Sequence, residues 1–304
     1  MPAFPRVQIF ILTHNRPEYV IECVESALNQ TYENLEIIVS DNSTDSRTEK
    51  ALEKFNSLAN FNYRKRLKSY NVFDHFNLCL HESNCDYLML FHDDDILNVS
   101  AIKTMVSALE KNHDLVAVAS NSAIVDSAGK RSGIFNSSLV NDTILSSPQE
   151  LIVKFFLIPM RITPFSSYVY RRSQISDLNL LYSQGRKHAD VSFLIKVALR
   201  GKIQWIAKEL MNYRIHGKND SNEFDIKAII SLCRFLKKLG FVTPETISNF
   251  RVQNILVWLK QEKVGRPSKV QNRIRKVLKK NAFFHLIRNP KLAFNFLIKF
   301  LVTQ

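Results

Sequence analysis

The sequence predicts an α/β protein: a mostly parallel sheet flanked by helices, followed by a helical C-terminal region. Three observations carry this expectation. Short apolar runs rich in β-branched and aromatic residues alternate, through the first half of the chain, with helical patterns of roughly 10 to 15 residues, as βαβ units do. Polar clusters follow the ends of successive apolar runs, which puts them on the one sheet edge where such folds bind ligands. The third is a change of composition: from Lys263 to Gln304 there are eleven Lys/Arg and no Asp/Glu, so the net charge of +14 belongs mainly to a tail.

Val7 to Leu12 (VQIFIL) is the first strand. Pro17 opens a helix whose Val20, Cys23, Val24, Ala27 and Leu28 share a face. Leu35 to Ser40 (LEIIVS) is the second strand. A polar turn, DNSTDS, leads into a helix near residues 47 to 58. A short strand near Phe61 to Arg64 and a helix near 72 to 83 follow. Tyr87 to Phe91 is the fourth strand. Ser100 is the expected cap of a helix with Ile102, Met105, Val106 and Leu109 inward. Leu115 to Ser120 is the next strand. Residues 127 to 150, rich in Ser, Asn and Gly, read as loop and edge strand. Ser147 precedes a helix over 148 to 157. A further helix covers 190 to 200, strand-like pieces cover 202 to 216, and residues 223 to 262 read as helical.

The chain has 304 residues and 45% apolar content, enough for a large core and against general disorder. Its seven glycines weigh against a glycine-rich phosphate loop. Cys23, Cys79, Cys85 and Cys233 form no C-x-x-C pair and read as free thiols of a reducing compartment. MPAFPRVQIF has no signal-peptide character, and no apolar run reaches the ~18 to 20 residues that a bilayer span requires. These features point to a cytoplasmic protein, at most peripheral on the inner face of the cell membrane.

The stretch YLMLFHDDDIL, residues 87 to 97, carries the chemistry. An apolar strand stops on Asp93, Asp94 and Asp95, whose mutual repulsion is costly beside a core. The bland alternative is a solvated turn with one Asp capping the next helix. The functional alternative is a divalent cation site, since Mg²⁺ and Mn²⁺ take oxygen ligands from few carboxylates and complete their shell with phosphate and water. Thr13, His14 and Asn15 follow the first strand. Asp41, Asn42 and Asp45 follow the second. Asp41 suits hydrogen bonds from a nucleobase or ribose, with an Asx-turn as the alternative.

Together these stretches resemble the family-two glycosyltransferases of the GT-A fold. IFILTHNRPEYVIECVESALNQTYENLEIIVSDNSTDSR is similar to that family's opening. LFHDDDIL is similar to its D-x-D element, GRKHADVSFLIKVALRGKIQWI to the element with the catalytic base, and NYRIHGKNDS to its Y-R-x-H segment. The resemblance covers roughly residues 5 to 221, with four elements in order. It implies a glycosyltransferase domain over 1–222 and a helical region over 223–304 whose tail, 263–304, is basic and amphipathic.

The resemblance further implies transfer of one sugar from a nucleotide-diphosphate sugar, with a UDP-sugar expected, to an acceptor hydroxyl with inversion. Asp190 would be the general base. Mn²⁺ or Mg²⁺ would sit on Asp94, with Asp93 and Asp95 as near alternatives. Of these, Asp95 is assigned with the metal and Asp93 with the nucleotide sugar. Thr13, Asn15 and Asp41 would hold the nucleoside, with Arg16 and Asp45 beside them. Arg214 and His216 would meet the phosphates. Two positions depart from the family pattern: His92 stands where a carboxylate is usual, and Ala189 precedes Asp190 where a Glu is usual. Taken alone, Asp190 reads as a helix cap and His216 as structural. Phe165, Tyr168 and Tyr170 read as core for at least two of the three.

In the tail, Val270, Ile274, Val277 and Leu278 share one helical face, and Leu292, Phe296, Leu297, Phe300 and Leu301 another. Such basic amphipathic segments suit an anionic membrane surface, or else the apolar stripe packs on the body. A membrane seat suits a lipid-linked glycan acceptor of a bacterial surface-polysaccharide pathway.

Other classes fit less well. A dehydrogenase needs G-x-G-x-x-G. A sugar nucleotidyltransferase needs a glycine-rich loop where THNRPEY has none. A non-catalytic membrane-surface or nucleic-acid binder would use the tail but leave the carboxylate edge unexplained, so no nucleic-acid partner is expected. A processive synthase would carry spanning helices and Q-x-x-R-W.

Overall fold

The computed structural model describes residues 4–156, 162–217 and 225–241. β1 (Val7–Thr13), β2 (Leu35–Asp41), β3 (Phe61–Lys65) and β4 (Tyr87–His92) form with the expected bounds to within a residue. Between them lie α1 (Pro17–Leu28), α2 (Arg47–Leu52) and α3 (Val72–Glu82). A two-residue β5 (Ile96–Leu97) and α4 (Ala101–Lys111) lead to the long β6 (Leu115–Val125). The sparse region that follows contributes the short strands β7 (Arg131–Ile134) and β8 (Thr143–Leu145), then α5 (Pro148–Phe156). The second half holds β9 (Tyr168–Arg171), α6 (Arg172–Ile175), α7 (Ala189–Ala198), β10 (Lys202–Arg214) and α8 (Ile226–Lys238).

One sheet runs β3-β2-β1-β4-β9-β6-β10-β5, with β7 on β6 and β8 on β10. β1, β2, β3 and β4 pair in parallel, and so do β6 and β10. β9 is wedged between β4 and β6, antiparallel to both, which leaves β6 running in the direction of β4. The expected parallel direction therefore holds for the long strands, while β5, β7, β8 and β9 make the sheet mixed. The pieces expected over 202 to 216 are one continuous β10, interrupted by register shifts between Ile206 and Met211.

Alternation along the strands sorts the core into two layers. Ile9, Ile11, Ile37, Val39, Met89 and Phe91 pack under α1 and α4, against Val20, Val24, Ile102 and Met105. Phe10, Ile38, Leu88 and Leu90, equally buried, take the alternate positions. On that side Phe76 of α3 meets the rings of Phe165 and Phe193, with centroids 5.4 Å apart in each case. Tyr168 and Tyr170 are fully buried, as expected of core residues.

Caps and braces explain several polar residues. Ser100 precedes α4 but makes no side-chain capping bond; its hydroxyl donates instead to Asn98. Gln30 ties the end of α1 to the start of α4: its amide donates to the Asn98 carbonyl and its side-chain oxygen accepts from Ile102 N. That brace fixes the helix following β1 against the turn following β4. α8 packs on α7 and on the turn Arg186–His188. Beyond residue 241, the rest of the region expected to be helical, the tail segments included, lies outside the described residues. Among the described residues no helix is long and apolar enough to cross a membrane.

Candidate active site

Parallel registry brings the polar clusters together. Thr13 pairs in register with Asp41, and Leu12 with His92, so the ends of β1, β2 and β4 are level. The end of β10 joins them through Arg214, whose backbone N–H donates to Asp95 Oδ1 at 3.1 Å.

The three carboxylates are buried and occupy different environments. Asp94 Oδ2 accepts from Arg16 Nη1 and from His216 Nε2, both at 2.8 Å. A carboxylate accepts, so His216 carries its proton on Nε2. Burial raises the Asp94 pKa, but His92, Arg16 and His216 pull it below the ordinary value. Asp95 Oδ2 accepts from Ser166 Oγ at 2.6 Å. Burial and the charge of Asp94 push Asp95 well above the usual range. Asp93 lies 3.1 Å from Arg16 Nη2, yet neither of its oxygens has a well-aimed hydrogen-bond donor among the described residues. Burial pushes Asp93 up to about 7 against the pull of Arg16.

This donor set is suited to a divalent cation. Ligand atoms of His92, Asp94 and Asp95 all lie within 4.8 Å of one another. Two carboxylates with one imidazole match Mn²⁺, and the oxygens also match Mg²⁺. Asp93, 3.1 Å from Arg16 Nη2, sets a third buried carboxylate beside them. His92 was set aside in the sequence as a lost carboxylate; the structure brings it to the same spot as a possible nitrogen donor.

The β10 end fastens this turn. Arg214 is 2% exposed. Its Nε donates to the Asp94 carbonyl at 2.9 Å, Nη1 to the Ser127 carbonyl at 3.2 Å, and Nη2 to Glu22 at 2.5 Å. Tyr19 stacks on the ring of His216, centroids 5.1 Å apart, and also faces the Arg214 guanidinium. The guanidinium expected to meet phosphates is thus engaged within the chain, and it holds the acidic turn in place. Glu22, Tyr19 and Ser166 were not singled out in the sequence. Ser166 lies 71 positions from its partner Asp95, Glu22 lies 192 from Arg214, and Tyr19 stacks on the similarly distant His216, so no local pattern announces them.

The β1 and β2 ends form a braced pair of loops. Asn15 takes a left-handed φ of 55°, a conformation that Asn tolerates better than most residues. Its N–H donates to Ser43 Oγ, and its side-chain oxygen accepts from Thr44 N. His14 donates from Nδ1 to the Asn42 carbonyl at 2.7 Å. Asp41 is fully buried: Oδ1 accepts from Ser43 N, the Asx-turn alternative, while Oδ2 accepts from Tyr63 OH at 2.5 Å and Lys65 Nζ at 3.0 Å. Lys65 also reaches the carbonyls of Ser43 and Asp45. Asp45 is exposed and pairs with Arg47. Thr13 is buried, and its hydroxyl has no hydrogen-bond partner among the described residues.

Asp190 is the second residue of α7 rather than its cap, which is His188. Its Oδ1 is buried without a donor among the described residues, and burial pushes its pKa up to about 6. Burial raises the nearby phenols of Tyr168 and Tyr170, and the charge of Asp190 adds to the rise. Thr163 and Trp205 both donate to Tyr168 OH at 2.9 Å. A carboxylate held ionised at neutral pH, more basic than usual and short of a donor, is equipped to take a proton.

Comparisons with known proteins agree with this geometry. An uncharacterized glycosyltransferase of Haemophilus influenzae is 28% identical over 238 residues, covering 74% of this chain and 70% of that protein. The chondroitin synthase of Escherichia coli is 28% identical over 126 residues, 41% of this chain but only 18% of that much longer protein. Among solved structures, S. aureus TarS 1–349 in complex with UDP superposes with a TM-score of 0.57 at 16% identity, over 82% of this chain and 80% of that one. At that identity the likeness is one of fold, the GT-A type of α/β sheet. The family model for Glycosyl transferase family 2 matches residues 8–177, more than half of the sequence, and the chain belongs to that family.

Proposed function

We propose that the protein moves one sugar from a nucleotide-diphosphate sugar, a UDP-sugar in the first instance, to an acceptor hydroxyl with inversion at the anomeric carbon. The observation that carries this reading is the convergence, level with one another, of the β1, β2, β4 and β10 ends on Asp93, Asp94 and Asp95. The TarS structures with UDP and with UDP-GlcNAc support a nucleotide-sugar donor on this fold.

In this reading Asp94 and Asp95, with His92, hold Mn²⁺ or Mg²⁺. The ion, when bound, supplies charge to neutralise the diphosphate leaving group. Arg16 lies against the same carboxylates and is available to a phosphate oxygen once a cation relieves it. His216 orients Asp94, and Arg214 fixes the turn from behind. The braced loops carrying Thr13, Asn15, Asp41 and Asp45 form the nucleoside floor. Because Asp41 is satisfied internally, its part is to set the loop through Lys65 and Tyr63. Asp190 accepts the acceptor proton as the new glycosidic bond forms opposite the departing diphosphate.

The acceptor in this proposal is a lipid-linked glycan of a bacterial surface-polysaccharide pathway. The basic tail seats the protein peripherally on an anionic membrane, at the cytoplasmic face.

Calorimetric titration with UDP, GDP, CDP and dTDP, each with Mn²⁺ and with EDTA, tests the reading. We expect one nucleotide to bind in a metal-dependent way and Asp94→Ala to abolish that binding. Absence of nucleotide binding under every condition would overturn it.

A further inference from the structure

We propose that the concavity between the turns at Tyr182–His188 and helix α8 binds a phosphate group carried by the acceptor. The proposal rests on the glycosyltransferase reading above and names a chemical class for its second substrate.

The concavity has a volume of about 350 Å³. Tyr182, Ser183 and Arg186 line one side, and Lys227, Ile230 and Arg234 of α8 the other. Among the described residues no acidic side chain lines it. The Asp225 carboxylate is committed to Arg186 at 3.3 Å and to the Lys227 backbone N–H at 2.8 Å. Among the described residues, the Lys227 ammonium and the Arg234 guanidinium have no ion-pair partner. Three cations against one carboxylate leave an excess of two positive charges. A phosphomonoester carries about −1.5 to −2 at neutral pH, which matches that excess.

The site is built, and chance clustering of surface cations does not account for it. Arg186 adopts a φ of 53°, an uncommon left-handed conformation for a residue with a side chain. The residue before it must be glycine, because a Cβ at Gly185 would lie 2.5 Å from the His188 carbonyl oxygen. This strained turn turns the Arg186 guanidinium onto the Tyr182 ring, 5.0 Å from its centroid. Tyr182 is itself held by an edge contact with Phe73, centroids 5.2 Å apart. Ser231 of α8 donates to the Ser183 carbonyl at 2.9 Å and closes the floor. A planar guanidinium fixed in this way presents two N–H groups to a phosphate at little further entropic cost.

Position supplies the link to the reaction. Arg186 stands four residues before Asp190, in the turn that runs directly into α7. A phosphate seated beside Arg186 would tether the acceptor next to the segment that carries the proposed base. The volume exceeds that of a phosphate alone, leaving room for the adjoining sugar or polyol.

The test uses the full chain, with Lys227→Ala/Arg234→Ala and Lys227→Arg as variants. Two probes distinguish a soluble phosphate ester from a lipid headgroup: glycerol 3-phosphate, and phosphatidylglycerol vesicles measured against phosphatidylcholine vesicles. We expect one probe to bind wild type and to lose at least tenfold in affinity in the double variant, with Lys227→Arg close to wild type. Metal-dependent UDP affinity is expected to stay unchanged in both. Loss for glycerol 3-phosphate supports a soluble phosphorylated acceptor; loss for the vesicles alone supports a lipid-borne phosphate. If neither probe distinguishes the double variant from wild type while UDP still binds, the phosphate site is overturned and the donor reading stands. If UDP fails to bind wild type, it is the underlying reading that fails.

Discussion

His216 Nε2 donates to Asp94 Oδ2 at 2.8 Å across 122 positions of sequence, joining the end of β10 to the acidic turn after β4. The contact orients the carboxylate that the proposed cation would share, and Tyr19 holds the imidazole flat from the side of α1. Partners that orient a metal-binding carboxylate typically matter by about 10- to 100-fold. His216→Ala should therefore lower metal-dependent nucleotide affinity by about that factor and leave the fold intact. Titration calorimetry in Mn²⁺ beside a thermal melt checks both halves. An unchanged affinity would mean that Asp94 needs no help from His216.

Arg214 and Glu22 form a pair whose two members should behave differently. The Arg214 side chain is 3% exposed, whereas the Glu22 side chain is 56% exposed. Removing the arginine strands the Asp94 and Ser127 carbonyls, so Arg214→Ala should cost about 2 to 4 kcal/mol of stability. Glu22→Gln keeps a hydrogen-bonding group in a wet setting and should cost less than about 1 kcal/mol. Urea unfolding of the two variants measures the difference, and equal losses would show the pair to be the wrong unit.

Asp190 should trade stability for chemistry. Its native pKa of about 6 lies above the unfolded value of 3.8. Native protein then binds more protons between those values, so this group makes stability rise as pH falls through about 6, and it destabilises the fold above that pH. Asp190→Asn should gain about 1 to 3 kcal/mol at pH 7.5, with the gain shrinking by pH 5, while losing transferase turnover. In wild type the rate should fall as pH drops below about 6. A variant that is less stable at pH 7.5, or that keeps its turnover, would remove Asp190 from the role of base.

His75 shifts acid stability the other way. His75 Nε2 lies 2.6 Å from Ser40 Oγ, which also accepts from Arg66 Nε at 2.7 Å. Burial, then the charge of Arg66, lower the His75 pKa to about 4, from an ordinary 6.5. The unfolded chain binds more protons in that window, so stability should fall by about 2 to 3 kcal/mol between pH 6.5 and 4 from this group. His188, also lowered to about 4, adds to the same trend. Denaturant melts across that range should show a shallower acid loss in His75→Gln than in wild type.

Much of this molecule is legible along the chain. The apolar runs at 7–12, 35–40 and 87–91 and the helical stripe behind Pro17 define the first strands and helix to within a residue or two, because a strand covered on both faces is apolar nearly throughout and a 3.6-residue stripe records which side of a helix is buried. The placement of Thr13, Asp41 and the three aspartates on one edge follows from parallel direction alone. Ser100 misled for a related reason: a hydroxyl before a helix is a cap only if it aims at the first turn, and here Asn98 captures it.

What only the tertiary structure decided is which groups meet. Periodicity says that Arg214 is near a strand end, but not that its donors are taken up by Asp94, Ser127 and Glu22. Nor does it foretell that Asp41 is enclosed by Tyr63 and Lys65, or that His92 returns to the aspartates as a nitrogen donor. The insertion of β9 between β4 and β6 is likewise invisible locally, since a strand's neighbours depend on pairing across the whole sheet. Sequence fixes the side a residue faces through short-range sterics and burial; its partner is selected by the packing of distant segments, as Glu22 and Arg214 show across 192 positions.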